Sequence, residues 1–266
     1  MLRQAAGWPA NASVAAARLG GIVHYWGRVG DDALGERIVG LLEAEGVQTA
    51  VVRRIARARS PCTAVLVDDR GERLVCTYSD PALDADATWL PIALLVDVDV
   101  VLADVRWPAG AARAFAAARA AGVPAVLDGD VAPATTLREL CRCCDYAIFS
   151  QPGLSLASGA AAVGEGLRRM QEIAGGMVGV TLGADGFLWL DAGHEQRARP
   201  PRVVVVDPLA AGDVFHAAFA LARPWAPKSR RCCVLPAGNK RLERANAARF
   251  RERATRTGYA RAALKR

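Results

Sequence analysis

Apolar positions change their period along the chain, and the changes predict the elements. Small and apolar residues recur at helical spacing over Pro9–Leu19 and stop at Gly20-Gly21, a natural C-terminal stop. Ile22–Trp26 reads as a short strand, Gly27–Asp32 as a loop, and Leu34–Ala44 as an amphipathic helix closed by Gly46, with Ile38, Leu41 and Leu42 on one face. Two β-type runs follow, Thr63–Val67 and Arg73–Tyr78. Asp68-Asp69-Arg70-Gly71 between them is turn chemistry, which predicts a hairpin. Beyond it, buried strands alternate with helices. Strands are predicted at Val98–Ala103, Ala125–Leu127, Tyr146–Phe149, Val178–Thr181, Phe187–Leu190 and Val203–Val206. Helices are predicted at Ala109–Ala121, Thr135–Cys143 and Ala160–Ala174, and from Ala211 onward. Such alternation means an α/β fold with a mostly parallel sheet covered on both faces. Ligands in such folds sit beyond the C-terminal ends of the strands.

Charge divides the chain in two. Residues 1–222 hold 20 Lys and Arg against 25 Asp and Glu, and residues 223–266 hold 14 against only Glu243 and Glu252. The net charge of +7 therefore belongs to the C-terminal segment. It gives little reason to expect the folded body to bind nucleic acid. We read 1–222 as one domain and 223–266 as a basic, atypical tail. No apolar run approaches the roughly 20 residues a membrane-spanning helix needs. The seven cysteines are odd in number and follow no visible secretory signal, as expected of reduced thiols in a cytoplasm. Cys141 and Cys144 stand in Cys-x-x-Cys spacing, but no second such pair and no suitably spaced histidine accompanies them, and with Cys143 they read as thiols near a helix end. No metal-ligating residue is predicted.

The candidate chemistry is concentrated in Val203–Phe219. A buried strand ends at Asp207, a turn of small residues follows, and a helix starts near Ala211. Small residues let a backbone approach an anion, and a helix N-terminus offers it free N–H groups. Asp213 falls in the first helical turn. There a carboxylate can take a proton from an attacking hydroxyl, or can simply be a favourable N-terminal helix charge.

This segment resembles the second signature of the ribokinase/PfkB sugar kinases, usually Asp-Thr-Thr-Gly-Ala-Gly-Asp. Three further motifs occur in the family's order. Gly7-Trp8-Pro9-Ala10-Asn11 is similar to the start of the helix near the sugar. Gly27–Gly35 is similar to the first signature, and Val180–Gly186 to the nucleotide-binding Thr-x-Gly-x-x-Gly. The resemblance implies a three-layer α/β/α sandwich with a small β lid at about residues 63–78. It implies ATP and Mg²⁺ as cofactors, a sugar as the partner molecule, and a homodimer formed through the lid. By the same resemblance Asp213 is the catalytic base, and the turn Ala210, Ala211 and Gly212 is the anion hole. Thr181, Gly183 and Gly186 approach the nucleotide, and Gly7 and Asn11 approach the sugar. Val100–Trp107, Val126–Asp130 and Phe149–Leu154 look like the sulfofructose kinases, which extends the sugar site to Arg106, Asp128 and Asp130. In those enzymes the arginine helps to hold a sulfonate. On chemistry alone, Arg106 suits that anion or a pairing with Asp104 or Asp130.

Several positions depart from the family pattern. Ala210 replaces a usual Gly, and Pro208-Leu209 replaces Thr-Thr. Ser150–Gly153 stands where the family has a magnesium-supporting Asn-x-x-Glu, and Gln151 stands where the sulfofructose branch keeps an acid. The family also has about 30 residues before the point matching Met1, including its first core strand. These departures leave open a chain that binds sugar or nucleotide without turning it over.

Overall fold

The structure is a computed structural model that describes residues 8–67, 73–83, 85–191, 193–203, 209–222 and 231–235. The predicted hairpin turn at 68–71, most of the predicted strand at 203–206, Asp207-Pro208 and Gly7 lie outside the described residues.

The chain opens with α1 (Trp8–Arg18), β1 (Ile22–Gly30), α2 (Ala33–Ala44) and β2 (Gln48–Ile55). β3 (Cys62–Val67) and β4 (Arg73–Tyr78) pair antiparallel as a separate two-stranded sheet, the predicted lid hairpin. Then come β5 (Val100–Asp104), α3 (Pro108–Ala121), β6 (Ala125–Gly129), α4 (Ala134–Cys143), β7 (Tyr146–Ser150), α5 (Gln151–Ser158) and α6 (Val163–Gln171). β8 (Met177–Thr181), β9 (Phe187–Asp191), β10 (His194–Ala198), α7 (Ala211–Ala222) and β11 (Arg231–Leu235) complete it.

The main sheet runs β10-β9-β8-β7-β6-β5-β11-β1-β2. All neighbours are parallel except the two pairs that β9 makes. Alternation along the strands divides the core between the two faces. Val101 and Ala103 of β5 pack with Phe115, Leu137, Leu154 and Leu167 of α3, α4, α5 and α6. Val100 and Leu102 pack with Ala16, Ile38, Ala217 and Ala220 of α1, α2 and α7. The result is the expected α/β/α sandwich with a mostly parallel sheet.

Four local expectations differ. The stretch predicted as the loop Gly27–Asp32 is strand as far as Gly30, because Trp26–Gly30 pair in register with Val51–Ile55 of β2. Sheet pairing overrides the weak strand propensity of Gly27 and Gly30. β2 and the exposed edge strand β10 were not predicted at all. The helix expected over 160–174 is α6, limited to Val163–Gln171, and a further helix, α5, precedes it over Gln151–Ser158. Ser150 caps α5 by accepting a bond from the Gly153 amide, and left-handed Gly159, at φ 67°, ends it. Finally, β11 comes from the segment read as tail. It lies between β1 and β5, with Cys232 opposite both Val23 and Val100. Two buried parallel neighbours would otherwise leave main-chain groups unpaired, and a backbone ladder satisfies them with little demand on side-chain pattern.

Candidate active site

The parallel strands β5, β6 and β7 end at one edge of the sheet, and each places a polar side chain there. β5 ends in Asp104, β6 carries Asp128 one residue before its end and is followed by Asp130, and β7 ends in Ser150. Helix α7 begins at the same edge. Val214 N–H closes its first turn onto the Ala210 carbonyl. Ala210 has φ 63°, the left-handed region that a side chain disfavours. We therefore expect Ala210→Gly to raise the denaturation midpoint, by about 1 kcal/mol in stability. A loss of stability would show that the turn depends on the Ala210 methyl group.

Ala211 and Gly212 are exposed at the helix N-terminus, and a side chain built on Gly212 would meet nothing within 4 Å. Their amides can therefore receive an anion. Asp213 lies beneath them, 5% exposed. Asn11 of α1, itself buried, donates from Nδ2 to Asp213 Oδ2 at 2.6 Å. The structure thus joins two predicted site residues that stand 202 positions apart. Asn11 Oδ1 and Asp104 Oδ2 are buried and make no hydrogen bond to any described residue.

The acidic edge is organised by Arg106. Its guanidinium reaches Asp130 at 3.3 Å, and its backbone N–H donates to Asp104 Oδ1 at 3.0 Å. Ser150 Oγ donates to the other Asp130 oxygen at 2.9 Å. The expected alternative pairing of Arg106 with the strand-end carboxylates therefore exists, while 42% of its side chain stays exposed. Burial raises Asp104 well above the usual carboxylate range. Asp128 and Asp213 add to this, and the bond from the Arg106 amide opposes it. Burial, with Asp130 beside it, pushes Asp128 up to about 8.

On the nucleotide side of the expected site, Thr181 ends β8 opposite Ser150, and its hydroxyl donates to the Phe149 carbonyl at 3.4 Å. Gly183 and Gly186 follow in a tight turn at φ 55° and 97°, both left-handed. The first-signature residues do a different job. Asp32 accepts bonds from Gly35 N–H, Ser60 N–H and Ser60 Oγ, and Gly30 N–H donates to the same hydroxyl. This ties the start of α2 to the segment leading into the lid. Sequence reasoning missed His216, whose partners Ile148 and Asp128 are far away in the chain. It took Ser150 only as a departure and Asp104 only as a partner for Arg106. The strand-end position of Asp104 was a usable signal. Among the described residues, no three His, Cys, Asp or Glu side chains converge to hold a metal.

The pfkB family of carbohydrate kinases matches residues 1–235. A fructokinase of Vibrio alginolyticus is 26% identical over 235 residues, covering 81% of this chain and 75% of that protein. A crystal structure from Agrobacterium tumefaciens, of a protein provisionally described as a ribokinase, is 37% identical. It superposes with a TM-score of 0.79 over 83% of this chain and 73% of that one. A fructokinase of Xylella fastidiosa with bound ATP is 26% identical, with a TM-score of 0.71 over 82% and 73% of the two chains. The family match over most of the chain and the shared fold lead to one conclusion: the chain belongs to the pfkB family of carbohydrate kinases, phosphotransferases that act on sugar hydroxyls.

Proposed function

We propose that this chain transfers the γ-phosphoryl group of ATP to a hydroxyl of a ketose sugar, with Asp213 as the base. The observation that carries the reading is the position of Asp213, buried in the first turn of α7 under exposed amides and held by Asn11. In phosphoryl transfer a protein mainly positions the reactants and stabilises charge. Asp213 accepts the proton of the attacking hydroxyl, whose oxygen bonds to phosphorus as the bond to the ADP oxygen breaks. The amides of the Ala210–Gly212 turn stabilise the phosphoryl oxygens. Thr181, Gly183 and Gly186 face the nucleotide, and the ATP held by the Xylella relative supports that side of the reading.

Asn11, Asp128 and Asp130 form the sugar side. Hydroxyl groups would satisfy the unpartnered oxygens of Asn11 and Asp104. The described side chains offer no cage for Mg²⁺, so a magnesium ion would arrive on the nucleotide phosphates and keep its waters. No step here is assigned to it.

The finer reading is that the sugar is 6-deoxy-6-sulfofructose. A half-exposed guanidinium braced by Asp130 suits a tetrahedral anion. Arg106→Ala should raise KM for this sugar about 10-fold or more, with little change for fructose, since charge-assisted bonds contribute roughly 1.5–3 kcal/mol. Equal changes for both sugars would remove the sulfonate from the reading. The test of the whole is ADP release with fructose, fructose 6-phosphate, ribose, 2-keto-3-deoxygluconate and 6-deoxy-6-sulfofructose. Sugar-dependent release is the expected result. A well-folded sample that turns over none of them would leave a sugar- or nucleotide-binding protein without kinase activity.

A further inference from the structure

His216 is a buried titratable residue that the proposed mechanism leaves unused. It lies on α7 one turn after Asp213 and is 2% exposed. Its Nδ1 is 2.8 Å from the Gly212 carbonyl oxygen, and its Nε2 is 3.1 Å from the Ile148 carbonyl oxygen on β7. Nδ1 also lies 3.4 Å from Asp128 Oδ2. Both carbonyls can only accept. A neutral imidazole carries one N–H and would turn a ring lone pair toward one of them. Only a ring with a proton on each nitrogen satisfies both contacts.

We propose that His216 is a positioning residue that works as an imidazolium: it donates to the Gly212 and Ile148 carbonyls, with Asp128 as its counter-ion. The proposal rests on the kinase reading only for its consequence, which follows from the peptide unit it grips. The Gly212 carbonyl belongs to the same peptide as the Asp213 N–H. Helix geometry turns that N–H toward the open end of α7. Holding the carbonyl end fixes the N–H end, and a charged donor polarises the unit further. The bond to Ile148 anchors this turn to β7, beside the strand that carries Thr181. His216 thereby sets the anion-binding turn against both halves of the site.

The charged groups around the ring are Asp128 from β6, Asp130 just after that strand and Asp213 from its own helix, with Asp104 of β5 and Arg106 beyond them. Burial by itself holds the imidazole below its usual range and outweighs the pull of the two carbonyls, Asp213 and Asp130; the imidazolium rests instead on the two acceptor contacts and on the Asp128 carboxylate beside the ring. Burial pushes Asp128 up to about 8. A coupled pair titrates as one unit, and Asp128 and His216, 3.4 Å apart, share one proton between them at neutral pH. The two carbonyls locate it on the ring. An imidazolium held in this way contributes fully while the ring is protonated, and the contribution is lost as rising pH removes that proton.

The test is nitrogen NMR of the ¹⁵N-histidine-labelled full chain, with His216→Gln identifying the His216 signal among the three histidines. At pH 7 both His216 nitrogens should carry protons, and one should be lost at alkaline pH or in Asp128→Asn. One bare nitrogen at pH 7 in the wild type would overturn the proposal. This readout needs no turnover, so a chain that is not a kinase would fail the ADP assay and still decide the protonation state. In an active chain, His216→Gln should lower kcat about 10- to 100-fold, the scale of a small misplacement of reacting groups, with KM for the sugar nearly unchanged. It should also abolish the fall of kcat on the alkaline side. Lower activity with that fall intact would make His216 merely structural and overturn the positioning role. Should His216→Gln not fold, the wild-type spectrum and Asp128→Asn carry the decision.

Discussion

Asp213→Asn is expected to lower kcat by roughly 100- to 10,000-fold, the usual contribution of a positioned general base. The substitution keeps the side-chain volume, and the amide oxygen can still accept from Asn11 Nδ2, which now sits 2.6 Å from Asp213 Oδ2. The fold and the melting temperature should therefore change little. KM for the sugar and for ATP should also stay within a few-fold, because proton transfer matters only on the way to the transition state. Steady-state ADP release with a thermal melt of the same sample tests all three points. Full turnover by the variant would remove Asp213 as base and leave it as a helix N-terminal charge. Lost activity accompanied by a large drop in melting temperature would make the residue structural first.

A second large effect separates two glycines of one turn. Gly186 sits at φ 97° and ψ −143°, which side chains avoid, and a Cβ there would come within 2.1 Å of the Ala198 carbonyl oxygen. Its carbonyl accepts from Leu182 N–H at 2.7 Å, and its N–H donates to Gly183, so the turn cannot easily shift. Gly186→Ala should cost about 3 kcal/mol or more. Gly183 is also left-handed, at φ 55°, but a Cβ there meets nothing within 4 Å. Gly183→Ala should cost only the conformational term, about 1–2 kcal/mol. Urea midpoints of both variants check this. Equal losses would mean that the clash with β10 relaxes freely. Nucleotide affinity measured on the folded Gly183→Ala protein then reports whether that position also serves ATP.

Much of the fold was legible because its signals are local. Val100–Asp104 is a continuous apolar run ending in a carboxylate, and it forms a fully buried strand with the acid at the sheet edge. Pro108 and Gly122 bracket α3 as start and stop signals should. The lid hairpin followed from two β-type runs around turn residues. The misses have equally physical causes. Gly27–Gly30 lacks strand propensity, and its conformation is imposed by β2. The α5 boundaries were written in Ser150 and Gly159, but the alanine-rich text around Ala160 obscured them. β11 carries only the short apolar run Cys232–Leu235, and what recruits it is the main-chain ladder of two other strands.

For the site, the sequence by itself determined the parts. The Ala210–Asp213 turn, the Thr181–Gly186 turn, Asn11 and Arg106 are visible in short motifs whose chemistry depends on neighbouring residues. Only the tertiary structure decided how the parts meet. Asn11 reaches Asp213 across 202 residues, and His216 reaches Ile148 across 68. Arg106 and Ser150 share the two oxygens of Asp130. Such contacts are set by strand order and helix packing, which bring distant chain segments to one sheet edge. Local spacing encodes an element and its turn, but carries no record of which other element will lie beside it.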